Sequence, residues 1–559
     1  MQVSRPWFGS WPKGMPREMW VEAQPLYRLL QDGAVQSPGR ACLVYHGRSL
    51  TYRQVDDLAS RFASGLLSLG LQKGDRVALF MPNMPQFVVA YFGTLEAGGT
   101  VVPCSPLYKE KELEYQLRDS GATFVVAAGD VVNGNDLFAS LEKCRNRLSL
   151  KSVVVASVTD YIPRFKRQLA VFRGVKKVQR RETVGFTELV DRSQALRTQA
   201  VVDPVRDVAV LQYTGGTTGI SKGAMLSHAN LYLNAFQTAA ALPLRESDVC
   251  LAALPLFHIY GMTAAMNAPL SAGCSVVLLP RFEVEPVMEA IQNEKVTSFC
   301  GVPTMYVAVI NHPRVSQFNL RSVRSCISGG AALPVAVRKR FIELTGSSLV
   351  EGYGLTEASP VTHVNPLGDG LDVKDVKDGS IGIPVSGTDA AIVDMDEPER
   401  FLGVGEVGEL AVKGPQVMLG YWNRREETEM VMKKEGWLLT GDVARMDEQG
   451  FFFIVDRKKD MIDVGGFKVW PREVEEVLFA HPAVREAAVV GFPDEYRGES
   501  VRAYIILRPE RKGNVSEEDI VDFCRDRIAN FKAPRSVVFV EDLPKTLVGK
   551  VLRRKLREG

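Results

Sequence analysis

GDRVALFMPNMPQFVVAYFGTLEAGGTVVPC, Gly74 to Cys104, decides the fold. Its first ten residues read as a buried, apolar strand closed by Pro82 and Asn83. Pro85 opens a helix that runs to Ala97, and TVVPC is a second strand. Upstream, Gly47 to Thr51 predicts a short strand leading into a helix. There Val55, Leu58, Ala59, Phe62, Leu66 and Leu67 recur at helical spacing, with Gly70 placed to stop it. Downstream, residues 109–119 predict a third helix and TFVVAAG another strand. Strand and helix alternate with short connections, which predicts parallel sheets covered by helices, an α/β chain.

The chain has 559 residues, more than the roughly 250–300 that one core serves, so several domains are expected. Hydrophobic residues are 46% and charged residues 24%, an ordinary globular balance with a net charge of only +2. That charge makes no case for nucleic acid. The eight cysteines show no CxxC and no Cys/His ligand spacing, which argues against structural zinc and a disulfide framework. They are expected to be small buried hydrophobes in a reducing cytosol. Pro and charge break the N-terminal twenty residues, so no secretory signal is read there, and no run reaches the roughly 18–20 apolar residues of a membrane span. A cytoplasmic protein is expected.

YTGGTTGISKGAMLSH, Tyr213 to His228, carries the strongest chemical signal. Gly215, Gly216 and Gly219 would let the backbone approach an anion, while Thr214, Thr217 and Thr218 supply hydroxyls and Lys222 a mobile positive charge. This is the composition of a loop that holds a polyphosphate. It is not a Walker A loop, because Ile220 and Ser221 separate the last glycine from the lysine.

Between Tyr161 and Arg181, eight of 21 residues are Lys or Arg and none is acidic. Ile162, Phe165, Leu169 and Phe172 would form an apolar stripe on a basic helix, limited by Gly174 to about three turns. An anionic membrane surface or the protein's own core could take that stripe, and peripheral contact with the cytoplasmic membrane face follows from the first. After the phosphate loop, His258 precedes Tyr260 and Gly261, and Gly261, Ala264 and Ala265 could leave room for an apolar ligand. SGGAALP, Ser328 to Pro334, reads as a glycine turn at a strand end. In EGYGLTE, Glu351 to Glu357, Tyr353 could stack on a base and Glu357 could hold a magnesium ion. Asp442 closes WLLTGD and suits ribose hydroxyls or a plain turn.

Beyond DRKKDMIDVGGFK, the pattern shortens into an α+β unit of about 100 residues. Pro471 starts a helix, AAVVGF and VRAYIIL are strands, Ser516 caps a helix with Ile520, Phe523, Cys524 and Ile528 inward, and VVFVED is the last strand.

Six clusters, YTGGTTGISKG, PLFHIYG, GYGLTE, TGD, FIVDRKKDMI and LPKTLVGK, resemble in order and spacing those of the adenylate-forming acyl-CoA synthetases. The resemblance runs from about Trp7 to the C-terminus and is closest to the long-chain fatty-acid–CoA ligases, through PLYRLL near the start and PKTLVGKVLRRKLR at the end. It implies a large N-terminal domain of helix-covered sheets over residues 1–458 and a small mobile α+β domain over 459–559. It also implies two steps: a fatty acid, medium to long chain favoured, attacks Mg-ATP to give acyl-AMP, and coenzyme A then displaces AMP.

By the same resemblance, Lys550 reaches between carboxylate and α-phosphate, and Thr214 to Lys222 cover the outer phosphates. Thr356 and Glu357 match the phosphate and magnesium positions, Gly352, Tyr353 and Gly354 the adenine-stacking stretch, and Gly330 and Ala331 the adenine-side turn. Asp442 and Arg457 match ribose contacts. Gly329, His258, Tyr260 and Gly261 are expected beside the acyl substrate, and Lys459 is the expected hinge. Gly465, Gly466 and Lys468 are expected at the pantetheine tunnel. Asp463 departs from the pattern, which carries an apolar or other non-acidic residue there, and an acidic residue close to the coenzyme A phosphates would be mildly unfavourable.

An aryl-acid–CoA ligase and a luciferase-like oxygenase share the first step. Amino-acid adenylation is disfavoured, because FHIYGMTAAM offers no acidic partner for an ammonium group. With the sequence ending nine residues after Lys550, a free acceptor such as coenzyme A is expected rather than a carrier domain. A nucleotide- or lipid-binding protein without turnover is the reading from another class, and a homodimer is the expected assembly.

Overall fold

A computed structural model of the chain describes residues 4–163, 166, 168, 174–214, 221–367, 376–494, 497–545 and 551–558. Two compact units divide it: residues 10–389 with 413–438, and residues 1–9, 390–412 and 439–559.

The larger unit carries the alternating pattern. Arg76–Phe80 and Thr100–Cys104 pair in parallel, as do Phe124–Ala128, Ser152–Ala156, Val184–Gly185 and Val208–Thr214 in the same sheet. Two antiparallel strands, Lys222–Ser227 and Gly420–Tyr421, complete eight. A second sheet sets Ala41–Tyr45, Ser275–Leu278 and Val249–Ala252 in parallel. Single bridges through Ser298 continue it to Ser325–Ser328 and Ser348–Gly354.

The helix Pro85–Glu96 is buried at every position, which suits a segment apolar nearly all round. A side chain at Gly93 would lie 2.5 Å from the Ala59 carbonyl oxygen, so glycine permits the close crossing with the helix Tyr52–Ser68. That second helix begins at a capping box, in which Thr51 and Gln54 each accept the other's backbone N–H.

The smaller unit has two sheets. One is formed by Asp389–Val393, Gly408–Lys413, Leu438–Met446 and Phe452–Arg457. The other joins Ile462–Val464, Phe467–Val469, Val484–Asp494 and Gly498–Leu507, with Ser536–Phe539 in parallel on the last. Its core packs Val474 and Leu478 of one helix and Ile520 and Cys524 of another against Val489 and Ile505. The Ser516 hydroxyl accepts the Asp519 N–H at 3.1 Å, as its capping position predicts. Phe523 does not join this core but lies edge-on against His481.

All eight cysteines are buried and unpaired in disulfides. Among the described residues, no helix is long and apolar enough to cross a membrane. Of the predicted basic stripe, Phe165, Leu169 and Phe172 lie outside the described residues, whereas Ile162 is buried. Three of the segment's cations bond within the chain: Lys166 to the His46 carbonyl, Lys177 to Asp160, and Arg180 to Asp136 and the Gly129 carbonyl.

Candidate active site

In a parallel sheet, ligands gather at the carboxyl ends of the strands. Thr214, Ser328 and Gly354 each end a strand, and the residues expected to handle nucleotide follow them. Thr214 pairs with Lys222 across an antiparallel hairpin, so the two ends of the expected phosphate loop are fixed side by side. Ser221 donates its hydroxyl to the Thr214 carbonyl at 2.5 Å, and Tyr115 donates to the Ser221 carbonyl at 2.8 Å. Tyr213 donates to Asp119, which Arg424 also engages. Gly215, Gly216, Thr217, Thr218 and Gly219 themselves lie outside the described residues, as does Lys550.

One residue joins two of the expected groups. Tyr421 donates its phenol hydrogen to Glu357 Oε1 at 2.7 Å, and Lys222 Nζ sits 5.2 Å from the centre of the same ring. Burial, reinforced by the Glu357 charge, pushes the Tyr421 phenol far up, so it stays a donor. The sequence reading missed Tyr421. Its only signal was the short GYW run after a turn, and its role depends on Gly420–Tyr421 pairing with Lys222–Ser227.

Thr356 and Glu357 occupy a single 3₁₀ turn after the strand Ser348–Gly354. Thr263 donates to the Ser359 carbonyl at 2.6 Å, Ser359 donates to the Gln416 carbonyl at 2.8 Å, and Met418 N–H bonds the Glu357 carbonyl. Glycine is obligatory at Gly354, where an added side chain would stand 2.0 Å from the Pro360 oxygen. At Gly352 it would stand 2.7 Å from Ile327. Tyr353, between them, is half-buried and lies edge-on to His363 at 6.0 Å. Gly330 takes a left-handed φ of +79°, and both it and Ala331 are exposed.

His258 caps a helix through Nδ1, which accepts the Tyr260 N–H at 3.2 Å. Burial holds its imidazole down at about 4, so the neutral ring is the form present near pH 7. Tyr260 donates to the Ile327 carbonyl at 2.8 Å and packs against Gly329. The missing side chain of Gly261 faces the Pro255 carbonyl, 2.2 Å from where a Cβ would sit, so this glycine lets the helix close on its own preceding turn. Residues Thr263–Asn267 then widen into a π-helix, with Ala264 and Ala265 buried. Asn83, missed by the sequence reading, braces the turn before His258 by donating to Ala252 and Leu254 and accepting from Leu256.

In the smaller unit, Asp442 and Arg457 face each other across one hairpin, with Arg457 Nε 3.3 Å from Asp442 Oδ1. Lys459 lies exposed in the 3₁₀ turn Lys458–Asp460. Gly465 and Gly466 form the two-residue turn of a hairpin, both at positive φ. Asp463 has a local role there. Its Oδ1 accepts the Gly466 N–H at 2.6 Å, and it stands directly across from Lys468.

A cavity of about 240 Å³ lies elsewhere, at the opposite ends of the strands beginning at Arg76, Thr100 and Val208, and none of the expected site residues lines it. Among the described residues, no group of three or more metal-ligating side chains occurs. Glu357 alone offers the donor set of magnesium bound chiefly by phosphate oxygens, a single carboxylate, and it fits that ion.

The AMP-binding enzyme family matches residues 30–422, and the AMP-binding enzyme C-terminal domain matches 473–550. The chain is 43% identical to a long-chain-fatty-acid–CoA ligase of Bacillus subtilis, over all of this chain and 98% of that one. It is 38% identical to the long-chain-fatty-acid–CoA ligase of Escherichia coli O157:H7, with the same coverage. Among solved structures, ATP-bound MatB from Rhodopseudomonas palustris superposes with a TM-score of 0.83 at 29% identity, covering 96% of this chain and 98% of that one.

Proposed function

The chain belongs to the AMP-binding enzymes, and we propose that it is an AMP-forming acid–thiol ligase that converts a long-chain fatty acid to its acyl-CoA. The carboxylate oxygen forms a bond to the α-phosphorus of ATP as the bond to pyrophosphate breaks. The coenzyme A sulfur then attacks the acyl carbon, AMP leaves with the carboxylate oxygen, and the thiol proton passes to solvent. Joining two anions in the first step requires positive charge held where their charge changes.

The observation that carries this reading is the meeting of Lys222 and Glu357 on the one Tyr421 ring beside the carboxyl end of the sheet. Lys222 and Thr214, with Gly215 to Gly219 between them, orient the outgoing pyrophosphate, and Thr356 bonds phosphate. Glu357 would hold magnesium, which would supply charge neutralisation at the phosphates. Tyr353, flanked by Gly352 and Gly354, stacks on adenine beside Gly330 and Ala331, and Asp442 with Arg457 takes the ribose. His258, Tyr260, Gly261 and Gly329 flank the acyl group. Lys550 bridges carboxylate and α-phosphate, on a domain of residues 459–559 that turns about Lys459 to present Gly465, Gly466 and Lys468 to coenzyme A. Residues 161–181 supply peripheral membrane contact through their basic side chains.

Pyrophosphate and AMP release, followed with palmitate, acetate and benzoate in the presence and absence of coenzyme A, tests the reading. Palmitate-dependent, coenzyme A-dependent AMP release is expected, and turnover of benzoate in preference to palmitate would overturn it.

A further inference from the structure

Arg553 lies three residues after Lys550, yet it is not a surface cation of a basic tail. Its guanidinium is enclosed among three carboxylates. Nη2 donates to both oxygens of Glu475, at 2.9 and 2.8 Å, while Nη1 donates to Asp456 and to Asp460, each at 3.2 Å. The acids come from different elements: Asp456 from the strand Phe452–Arg457, Asp460 from the turn Lys458–Asp460, and Glu475 from the helix Pro471–Phe479. Their remaining contacts are also spent. Asp456 accepts the N–H groups of Arg457 and Arg472, Glu475 accepts that of Val489, and Arg557 stands 3.7 Å from Asp460.

The geometry of Nη1 is the informative part. Asp456 precedes Lys459 by three residues and Asp460 follows it by one, so a single nitrogen spans the hinge residue. A change of backbone dihedrals at Lys459 moves Asp460 relative to Asp456. The nitrogen can then keep only one of them, while the bidentate bond to Glu475 moves with its own helix. The C-terminal helix Arg553–Glu558 is further tied down by Tyr504, which donates to the Leu556 carbonyl at 2.9 Å.

We propose that Arg553 is a positioning residue that latches the hinge at Lys459, joining the two sides of that hinge to the tail that carries Lys550. This rests on the ligase reading, from which the hinge at Lys459 comes; the enclosure of Arg553 by acids on both sides of Lys459 does not. A planar fork is needed to satisfy three carboxylates at once, and lysine, a point charge, cannot reproduce it.

The test compares the full chain with Arg553→Lys, and with Arg553→Met combined with Glu475→Gln, which removes the guanidinium together with the carboxylate it holds through two bonds should the single variant fail to fold. Trypsin cleavage after Lys458 and Lys459, followed without substrate, reads the latch. Palmitate-dependent ATP–pyrophosphate exchange and coenzyme A-dependent consumption of supplied palmitoyl-AMP read the two half-reactions. Hinge cleavage is expected to speed by about fivefold or more, and the ratio of exchange to thioester formation to fall by about tenfold. Hinge cleavage within twofold of the parent, or both half-reactions falling in equal proportion, overturns the proposal. Absence of palmitate-dependent exchange in the parent chain would instead sink the ligase reading, and hinge cleavage alone would then decide the latch.

Discussion

Tyr421 donates to the carboxylate of Glu357 while its ring faces Lys222, so a single phenol fixes the spacing of two groups proposed to handle phosphate and magnesium. A hydrogen bond to a charged group contributes about 1.5–3 kcal/mol, equivalent to about 10- to 100-fold in rate if its positioning effect is realised in the transition state. Tyr421→Phe is therefore expected to slow palmitate-dependent ATP–pyrophosphate exchange by that factor, with little change in thermal midpoint. Exchange at the parent rate would show that Glu357 is held adequately without it. Gly354→Ala acts through the backbone instead. A methyl group 2.0 Å from the Pro360 oxygen must displace the turn that carries Thr356 and Glu357. Destabilisation of about 2 kcal/mol or more is expected in urea unfolding, since overpacking typically costs about 1–3 kcal/mol.

At the scale of the element, the hairpin Ile462–Val469 gives Asp463 a meaning that its charge alone concealed. Viewed only as a negative charge near a polyanion, it weakens binding. As an acceptor for the Gly466 N–H, it holds the turn in shape. The two effects predict opposite results for Asp463→Ala. If the turn dominates, the coenzyme A KM rises by about 3- to 10-fold, the loss of one hydrogen bond of about 0.5–1.5 kcal/mol, and the adenylation rate is unchanged. If repulsion dominates, KM falls. The rise is expected, because the bond is short and Lys468 stands opposite to offset the charge. The proposed hinge makes its own prediction. Lys459→Pro restricts the backbone φ there and is expected to spare acyl-AMP formation while slowing thioester formation from supplied acyl-AMP at least tenfold. Equal loss of both would place the turning point elsewhere.

At the scale of the whole molecule, the buried end of the helix Pro85–Glu96 links stability to pH. Burial, and then the nearby Asp56 charge, pushes the Glu96 carboxyl up to about 8, and Asp56 itself is raised to about 6. Ser60, Gln199 and Tyr27 also face Glu96, while Asp57, which pushes Asp56 further up, and Cys42 face Asp56. A carboxyl whose folded value exceeds its unfolded value of 4.5 binds more protons when folded. Its contribution to stability is full below pH 4.5 and is lost as the pH rises through about 8. The urea midpoint is therefore expected to fall between pH 5 and 8 more steeply in the parent chain than in Glu96→Gln. Parallel slopes would mean that Glu96 is ionised in the folded state.

The sequence by itself determined the alternating elements, because apolar periodicity and the caps at Thr51 and Ser516 are local properties of neighbouring residues. It also carried the expected phosphate loop, whose glycines and threonines are contiguous with the lysine close behind, and the order of clusters by which the family is legible. Only the tertiary structure decided what stands beside them. Tyr421 meets Glu357 through pairing of strands about 200 residues apart, Asn83 braces a turn some 170 residues further along the chain, and Arg553 reaches acids more than 75 residues before it. Hydrogen bonds and ion pairs depend on distance in space, and distance in space is set by packing. A cation in the run VLRRKLR therefore looks like any other until the fold encloses it.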